Sequence, residues 1–489
     1  MKQLIPIILR KLISSFSIIG LTAAFTVGCG GGGTSPGTTL SGNTSVTVLS
    51  SGTANDQLSE FGIRLSSFTL TSQSGKTVTL LSSPLYTEFI HLNGTEEPLM
   101  TVTVPQDIYN SATVTLASAE FICVSYDFSE NELYTSTFIE PSVPPTYATV
   151  TLAAPITITG TAMGLALDLQ VSKSASWDTC DGSGSFTITP EISVTPVTIA
   201  AEPTNSVNGL ATSLSGLVTS FDATEASFSV VGEDGPNLGP GWQVGTGSST
   251  IFQGISGFSQ LAAGMPVDMD VAIQTDGSLL ATRVSVEDAN TASLSIFGGP
   301  VESVYAPRQE FSIVGREQQG YLDANAYYDG SLQFNFGGAV FQTTGELTNL
   351  QSLPFPASFN ASNMVAGQDV YITTHALSAA NLPIPATTIT LAPQTINGTV
   401  SAIGSEGGFA TYTVTLAPYD LFPALALQPY QSAVLTDPNT VVVYADSNTQ
   451  MLNTNPIAVG GVARFYGLVF NDNGTLRMDC AQIKDGVAE

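Results

Sequence analysis

Residues 216–221 read GLVTSF, and the same pattern of glycine and alternating apolar residues returns as GPVESV at 299–304 and as GTVSAI at 398–403. Each copy continues with a second strand-like stretch, an Ala-Gly segment and a closing strand. Repetition at this spacing indicates tandem domains of one fold. The sequence therefore predicts three small β-domains, at residues 207–290, 294–395 and 396–487.

Each copy carries the turn residues that a compact β-fold needs. The opening strand is expected to pair with the second strand, and the Ala-Gly segment is expected to form a tight turn into the next strand. Asp276-Gly277 in the first copy and Asn473-Gly474 in the third are typical of β-hairpins. About four to six short strands in one copy are enough for a small closed or nearly closed barrel.

The repeat resembles an uncharacterised small β-barrel domain, reminiscent of OB-like barrels, that recurs in tandem in predicted bacterial lipoproteins. The resemblance rests on the glycine placement and the strand alternation of the stretches quoted above. Both are folding features, so the resemblance implies a fold and no catalytic residue.

Residues 44–200 differ from the repeats but are also rich in strands. TVTV at 101–104 alternates hydroxyl and apolar residues, a period of two that is typical of a strand with one buried face. An LNG turn at 92–94 precedes a P-x-x-x-Y segment at 105–109. This order resembles a second uncharacterised lipoprotein domain, which implies a β-sandwich. The chain is thus predicted to be all-β, with an N-terminal β-sandwich followed by three tandem small β-barrel (OB-like) domains.

The N-terminus predicts export. Basic residues come first, and an apolar or small run at 12–27 follows, an order that is typical of a secretory signal. Residues 26–29 (TVGC) resemble the bacterial lipoprotein cleavage site. The resemblance implies a signal peptide at residues 1–28 and a lipid on Cys29, which would hold the protein on a membrane. An uncleaved membrane anchor or an ordinary signal peptide is the alternative.

The residues that follow Cys29 suit a flexible tether. Four consecutive glycines at 30–33 open a stretch rich in Thr, Ser and Gly, so residues 29–43 are predicted to link the lipid to the folded body. Gly30, where some lipoproteins have an aspartate, resembles the pattern of lipoproteins sent to the outer membrane. We therefore expect an exported protein that is anchored to the bacterial cell envelope at the outer membrane.

The charge balance excludes nucleic acid as a partner. The chain has 12 Lys+Arg against 40 Asp+Glu, a formal net charge of −28. Such a surface repels nucleic acids, because proteins bind their phosphates mainly through Lys and Arg. Since 43% of the residues are hydrophobic, the chain is also too apolar for a disordered acidic protein. It is therefore expected to fold around buried cores.

The cysteines are assigned from the expected location. Exported proteins meet oxidising conditions, so Cys123 and Cys180 are predicted to form a disulfide. Two buried free thiols are the alternative for this pair. Cys480 has no partner in its own repeat, and we expect a buried thiol in the closing strand rather than a reactive or intermolecular one.

The sequence offers little for catalysis. It has two histidines, His91 and His375, no G-x-S-x-G turn and no H-E-x-x-H motif. We therefore predict no catalytic residue, no metal centre and no cofactor. Both histidines are expected to be structural or surface residues.

Carboxylates remain as candidate catalytic groups, because glycosidases need only two of them for hydrolysis. Asp268 and Asp270 share one strand face by their spacing of two, and an exposed face is expected there. A solvated loop is expected for a second group, which consists of Asp127, Glu130 and Glu132. Asp-Gly segments at 178–183 and 323–330 offer oxygen ligands to calcium. Since neither segment matches the full calcium-loop pattern, ordinary turns are expected.

Aromatic residues beside Gly, Asp and Asn predict a ligand surface. The candidates are Trp242, Tyr321, Tyr327 and Tyr328. Such amphipathic rings suit sugar faces or protein partners, whereas caps on a barrel end are the alternative. We predict a lipid-anchored cell-envelope protein that acts as a non-enzymatic binding or structural module for a glycan, an envelope polymer or a protein. A carboxylate-dependent polysaccharide hydrolase and a calcium-stabilised adhesin are the alternatives.

Overall fold

Strands account for almost all of the regular structure in the chain. The computed structural model describes residues 40–487 apart from 54–57, 126–134, 140–145, 178–185, 233–240, 323–330, 346, 348–349, 377–382, 419 and 427–432. Strand makes up 59% of the structure and helix 6%, so the prediction of an all-β protein is confirmed. Within those described ranges, no helix has the length and apolar character needed to cross a membrane.

Two large sheets and the two-stranded sheet β10–β11 form the N-terminal part of the described chain, here called the two-sheet region after its two large sheets. The strands are β1 (Asn43–Thr53), β2 (Leu58–Ser72), β3 (Thr77–Leu81), β4 (Leu85–Glu88), β5 (Glu97–Pro105), β6 (Asp107–Ser125), β7 (Thr135–Ile139), β8 (Thr146–Ile158), β9 (Ala162–Gln170), β10 (Ala175–Trp177), β11 (Phe186–Ile188) and β12 (Ile192–Val197), with helix α1 at Val171–Ser174. One sheet has the order β12–β9–β1–β5, and the other has the order β3–β2–β6–β7, with β4 on β2 and β8 on β6. Apolar side chains from both sheets share one core, so the sheets pack against each other.

β1 is buried on both of its faces. Val46 and Val48 belong to the core of the two-sheet region, whereas Leu49 belongs to the core of the domain that follows. Successive side chains of a strand point to opposite faces, so β1 separates two cores. This explains why its burial does not alternate along the strand.

The first barrel is a closed ring of five strands, with a short sixth strand that also pairs with β18. Its strands are β13 (Leu210–Asp222), β14 (Ser227–Gly232), β15 (Gly241–Gly245), β16 (Ile251–Gln253), β17 (Pro266–Ile273) and β18 (Leu279–Val286). The order is β15–β14–β13–β17–β18, and β15 pairs again with β18 to close the ring. The short strand β16 runs parallel to β18 and pairs with it beyond β15, at residues 283–285.

The second barrel repeats this order with one interrupted strand. Its strands are β19 (Ser295–Tyr305), β20 (Glu310–Val314), β21 (Glu317–Gly320), β22 (Ser331–Asn335), β23 (Val340–Thr343), β24 (Asp369–Thr374), β25 (Ile384–Pro385) and β26 (Thr388–Leu391). β22 pairs with β25 and β24 pairs with β26, and only Ala386 and Thr387 separate β25 from β26. The additional strand β21 pairs with β19.

The third barrel closes in the same way as the first. Its elements are β27 (Gln394–Glu406), β28 (Phe409–Thr415), helix α2 (Leu421–Ala426), β29 (Thr440–Ala445), β30 (Gln450–Met451), β31 (Val462–Asp472) and β32 (Thr475–Asp485). The ring order is β29–β28–β27–β31–β32, and β29 pairs with β32. At the β31–β32 turn, Asn473 and Gly474 have φ values of 52° and 92°, as a two-residue type I′ hairpin requires.

The glycine of each Ala-Gly segment connects two strands through its backbone. Its φ is positive in all three barrels, and its amide donates a hydrogen bond to the carbonyl of the valine in the opening strand. The bonds are Gly264 to Val218 at 2.7 Å, Gly367 to Val301 at 2.8 Å and Gly460 to Val400 at 2.8 Å. The amide of each valine donates back, to Met265, Gln368 and Gly461 respectively. Directly after each valine the register of the opening strand shifts, as at a β-bulge.

The glycine that begins each repeated motif (Gly216, Gly299 and Gly398) is required by a close backbone approach. A Cβ atom on Gly216 would lie 2.2 Å from the carbonyl oxygen of Val231. The equivalent distances are 1.9 Å from Gly299 to Val314 and 2.7 Å from Gly398 to Thr415. The repeated glycine positions therefore follow from the backbone geometry of the barrels.

Replacing Gly460 by alanine is expected to destabilise the third barrel, although no atom lies within 4 Å of the added Cβ. The reason is its φ of +85°, because a left-handed conformation costs a residue other than glycine about 1–2 kcal/mol. Urea unfolding of the full chain should show this loss. Gly247→Ala is the control, because Gly247 lies outside the left-handed region and its Cβ would be 3.9 Å from Leu280. Equal unfolding midpoints for both variants would contradict the requirement for glycine at the left-handed backbone position of Gly460.

Candidate functional site

A cleft lies where the two-sheet region meets all three barrels. It has a volume of about 70 Å³ and is lined by residues from each of the four parts. Its principal polar side chains are His91, Glu97, Asp268, Arg316, Glu317 and Tyr466. Since sites for small molecules often form between domains, this cleft is the candidate functional site.

The LNG turn of the two-sheet region forms one wall of the cleft. The carbonyl of Asn93 accepts a hydrogen bond from the Thr395 hydroxyl, and Asn93 Oδ1 accepts one from Arg464 Nη1 at 3.0 Å. Gly94 has a φ of +93°, and a Cβ there would lie 2.9 Å from Thr395 Oγ1. The turn therefore docks the two-sheet region onto the third barrel.

The first and third barrels meet across the cleft through one hydroxyl pair. The Ser213 hydroxyl lies 2.6 Å from the hydroxyl of Tyr466, within hydrogen-bonding distance. Ser213 has a φ of 57°, an uncommon conformation for a residue other than glycine. This backbone conformation places the serine side chain at the boundary between the two barrels.

His91 lies between carboxylates from two parts of the chain. Its Nδ1 is 3.1 Å from Glu88 Oε2 and 3.6 Å from Glu317 Oε1, and its Nε2 is 3.7 Å from Glu97 Oε2. Glu88 and Glu97 belong to the two-sheet region, whereas Glu317 begins β21 of the second barrel. The imidazole thus connects the two-sheet region to the second barrel.

The surroundings of His91 favour its charged form. Burial opposes protonation, but the hydrogen bond to Glu88 and the negative charges of Glu97 and Glu317 raise the pKa of His91 well above 6.5. Burial also opposes ionisation of Glu88, yet the hydrogen bond and charge of His91 lower the pKa of that carboxyl below 4.5. Glu88 Oε1 also accepts backbone hydrogen bonds from Phe61 and Ile90, at 2.7 and 2.8 Å. The pair is therefore ionised at neutral pH.

Two arginines meet acidic residues in the walls of the cleft. Arg316 Nη1 donates to both carboxylate oxygens of Asp369, at 3.1 and 3.3 Å. Arg283 contacts Asp268 and donates from Nε to Asp270 at 2.9 Å. Burial raises the pKa of Asp268 despite the arginine. The expected exposed face at Asp268 is therefore wrong, because Asp268 is 1% exposed and its partner Arg283 is also buried.

Trp242 does not lie on an exposed ligand surface. It is 4% exposed in β15, and its indole Nε1 donates to the carbonyl of Pro98 in β5 at 2.6 Å. The prediction of an exposed ring is wrong because the two-sheet region covers it and supplies its hydrogen-bond partner. Tyr321 is 62% exposed at the end of β21, so its role as a ligand residue stays a prediction. Tyr327 and Tyr328 lie outside the described residues.

Several other predicted residues are also outside the described part. These are Cys29, Cys180, the side chain of Cys123, the acidic group Asp127, Glu130 and Glu132, and the Asp-Gly segments at 178–183 and 323–330. Cys480 is a buried free cysteine, as expected, and burial raises the pKa of its thiol. Among the residues that are described, no group of three or more His, Cys, Asp or Glu side chains is arranged to hold a metal ion.

His375 joins the first and second barrels. Its Nε2 lies 2.9 Å from Asp288 Oδ2, and its Nδ1 lies 2.7 Å from the carbonyl oxygen of Ala292. Thr373 donates to the same oxygen of Asp288 at 3.3 Å. These contacts agree with the structural role that was expected for this histidine. His91 differs, because it lines the cleft.

The fold and the cleft define an all-β protein with tandem small barrels beside a two-sheet region and a polar cleft at their junction. Residues 215–285 match the family described as Domain of unknown function (DUF5666). The match runs from β13 to β18 and so covers the first barrel. No curated protein matches the chain.

Replacing Gly94 by alanine is expected to weaken the docking of the LNG turn. The variant adds backbone strain at φ +93° and a contact of 2.9 Å with Thr395 Oγ1. Gly75→Ala is a matched control, because Gly75 has a φ of +82° and no atom within 4 Å of the added Cβ. We expect Gly94→Ala to lose at least about 1 kcal/mol more than the control in urea unfolding. Equal losses would mean that the contact with the third barrel contributes nothing.

The stabilising effect of His91 should depend on pH. A histidine whose pKa is raised by folding stabilises fully below about pH 6.5, and this contribution is lost as the pH rises through the folded-state value. The free energy of unfolding should therefore differ most between wild type and His91→Gln near pH 6, and the difference should shrink toward pH 9. Urea unfolding across that range measures it. A difference that does not change with pH would contradict an ionised His91.

Proposed function

We propose that the chain is a lipid-anchored protein of the bacterial cell envelope that binds a ligand without changing it chemically, and that the junction cleft is its binding site. The observation that carries the proposal is the cleft itself, since each of the four β-parts contributes residues to it. A site built by four rigid parts is held in a fixed geometry, which lowers the entropic cost of binding.

The N-terminal sequence supports the envelope location. A signal-like segment ends at Cys29, and the glycine-rich tether follows directly. The net charge of −28 supports a partner that is neutral or cationic over an anionic one. An envelope glycan, an envelope polymer or another envelope protein meets this requirement.

The cleft also supports a second candidate, a carboxylate-dependent hydrolase. Burial and the neighbouring Asp168 raise the pKa of Glu96 to about 7, although Lys484 acts in the opposite direction. A carboxyl with this pKa can donate a proton near neutral pH, and Glu97, Glu317 and Asp369 line the same cleft. We rank binding first because the volume of about 70 Å³ admits only a small part of a polysaccharide.

The test is retention of envelope fractions and of a polysaccharide panel on the full chain in detergent. Thr212, which lines the cleft, is replaced by tyrosine to fill it. Thr219→Tyr is the matched control, because Thr219 is exposed in the same strand, β13. Tyr321→Ala tests the exposed tyrosine. We expect saturable retention by wild type, Thr219→Tyr and Tyr321→Ala, and at least a tenfold loss for Thr212→Tyr.

The other outcomes decide between the alternatives. If Tyr321→Ala alone lost retention, the protein would still have a binding function, but its binding site would lie outside the cleft. Turnover of a polymer that is abolished by Glu96→Gln, with a pH-rate profile set by two carboxyls, would favour the hydrolase. Neither retention nor turnover would overturn the proposal.

A further inference from the structure

Negative charge exceeds positive charge in the interior around His91. The two cations of this cluster are His91 and Arg316, and the carboxylates that interact with them are Glu60, Glu88, Glu97, Glu317 and Asp369. Glu60, Glu88, Glu97 and Glu317 are at most 8% exposed. Buried charges are costly unless they are compensated, so this part of the cleft favours an additional cation.

In two carboxylates of the cleft, one oxygen has no hydrogen-bond donor among the described residues. Glu97 is 8% exposed, and among the described residues nothing donates a hydrogen bond to its Oε2. The Nε2 of His91 stands 3.7 Å away, beyond hydrogen-bonding distance. Oε2 of the neighbouring Glu96 is likewise buried without a donor from the described residues. Buried acceptors normally have hydrogen-bond donors, so each of these oxygens favours a donor beyond those that the described residues supply.

We propose that the cleft binds a primary ammonium group at the end of a flexible chain, with Glu97 as its main partner. An ammonium group supplies both missing features, a positive charge and three N–H donors. About 70 Å³ admits an ammonium group with a short methylene stem. His91 is 25% exposed, so the cleft can be reached from solvent.

This inference rests on the proposed binding function, because it names the chemistry of the ligand at the same site. It predicts that the positive charge of the ligand, rather than its shape alone, decides whether the cleft binds it. A hydrogen bond to a charged group contributes about 1.5–3 kcal/mol, so removal of the amine charge should cost at least tenfold in affinity.

The experiment compares pentane-1,5-diamine with pentane-1,5-diol by calorimetric titration of the full chain in detergent. The two probes have the same length, and both amines are protonated at neutral pH. Salt at about 0.15 M screens the general attraction of an acidic protein for cations. We expect the diamine to bind with defined stoichiometry and the diol to bind at least tenfold more weakly.

The variant arm separates this site from overall charge. Glu97→Gln and Glu225→Gln change the net charge equally, but Glu225 is exposed in the first barrel. We expect Glu97→Gln to weaken diamine binding at least tenfold and Glu225→Gln to leave it unchanged. Equal effects of both variants would show general attraction and would overturn the proposal.

Further results distinguish this inference from the proposed function. If Glu97→Gln does not fold, the comparison of the two probes on wild type still decides, and equal or absent binding of both probes overturns the inference. Another result is that wild type retains an envelope fraction that Thr212→Tyr does not retain and that excess diamine does not displace. This result would support the proposed binding function and overturn the ammonium site.

Discussion

Each of the three barrels depends on one reciprocal pair of backbone hydrogen bonds. The pair joins the opening strand to the turn before its partner strand, which is β17, β24 or β31. In the third barrel, the amide of Gly460 donates to Val400, and Val400 donates to Gly461. Because the turn glycine has a left-handed backbone and the opening strand bulges beside it, the pair joins two irregular features that neither strand would adopt alone. The bulge bends the opening strand, and this bending lets five short strands close into a ring. The pair therefore imposes the repeat signature that the sequence shows.

The junction of the four parts is held differently, through polar groups with distant partners. Asn93 meets Thr395 and Arg464, and His91 meets Glu317. Such contacts are directional, so they fix the position of one rigid sheet against another where apolar packing alone would tolerate sliding. They also leave polar walls around a cleft. The arrangement that positions the domains is thus the arrangement that creates the candidate site.

The sequence predicted the features that depend on local backbone chemistry and missed those that depend on distant partners. Alternation and glycine placement indicated the strands, and Asn473-Gly474 indicated a hairpin that the structure contains. Trp242 was misplaced because its burial depends on Pro98, 144 positions earlier in the chain. The cleft could not be derived either, since Asn93 and Arg464 are 371 positions apart. The sequence signal for the cleft was the scarcity of cations. The chain has 12 Lys+Arg, and one of them, Arg316, stands beside Glu317 directly after the IVG stretch at residues 313–315 of the second copy.

Three of the described cations lie in the interior beside acidic residues. Arg283 is 5% exposed, the Arg316 side chain is 6% exposed and paired with Asp369, and Lys484 interacts with Glu96 and Asp168. These cations offset only part of the negative charge around them, and the formal net charge of −28 makes the protein acidic as a whole. An acidic protein raises the local concentration of cations, and the cleft provides carboxylate oxygens without donors among the described residues, where one cation can be desolvated and held. Long-range attraction and local recognition then act on the same class of ligand, because both follow from placing few positive charges inside an acidic protein.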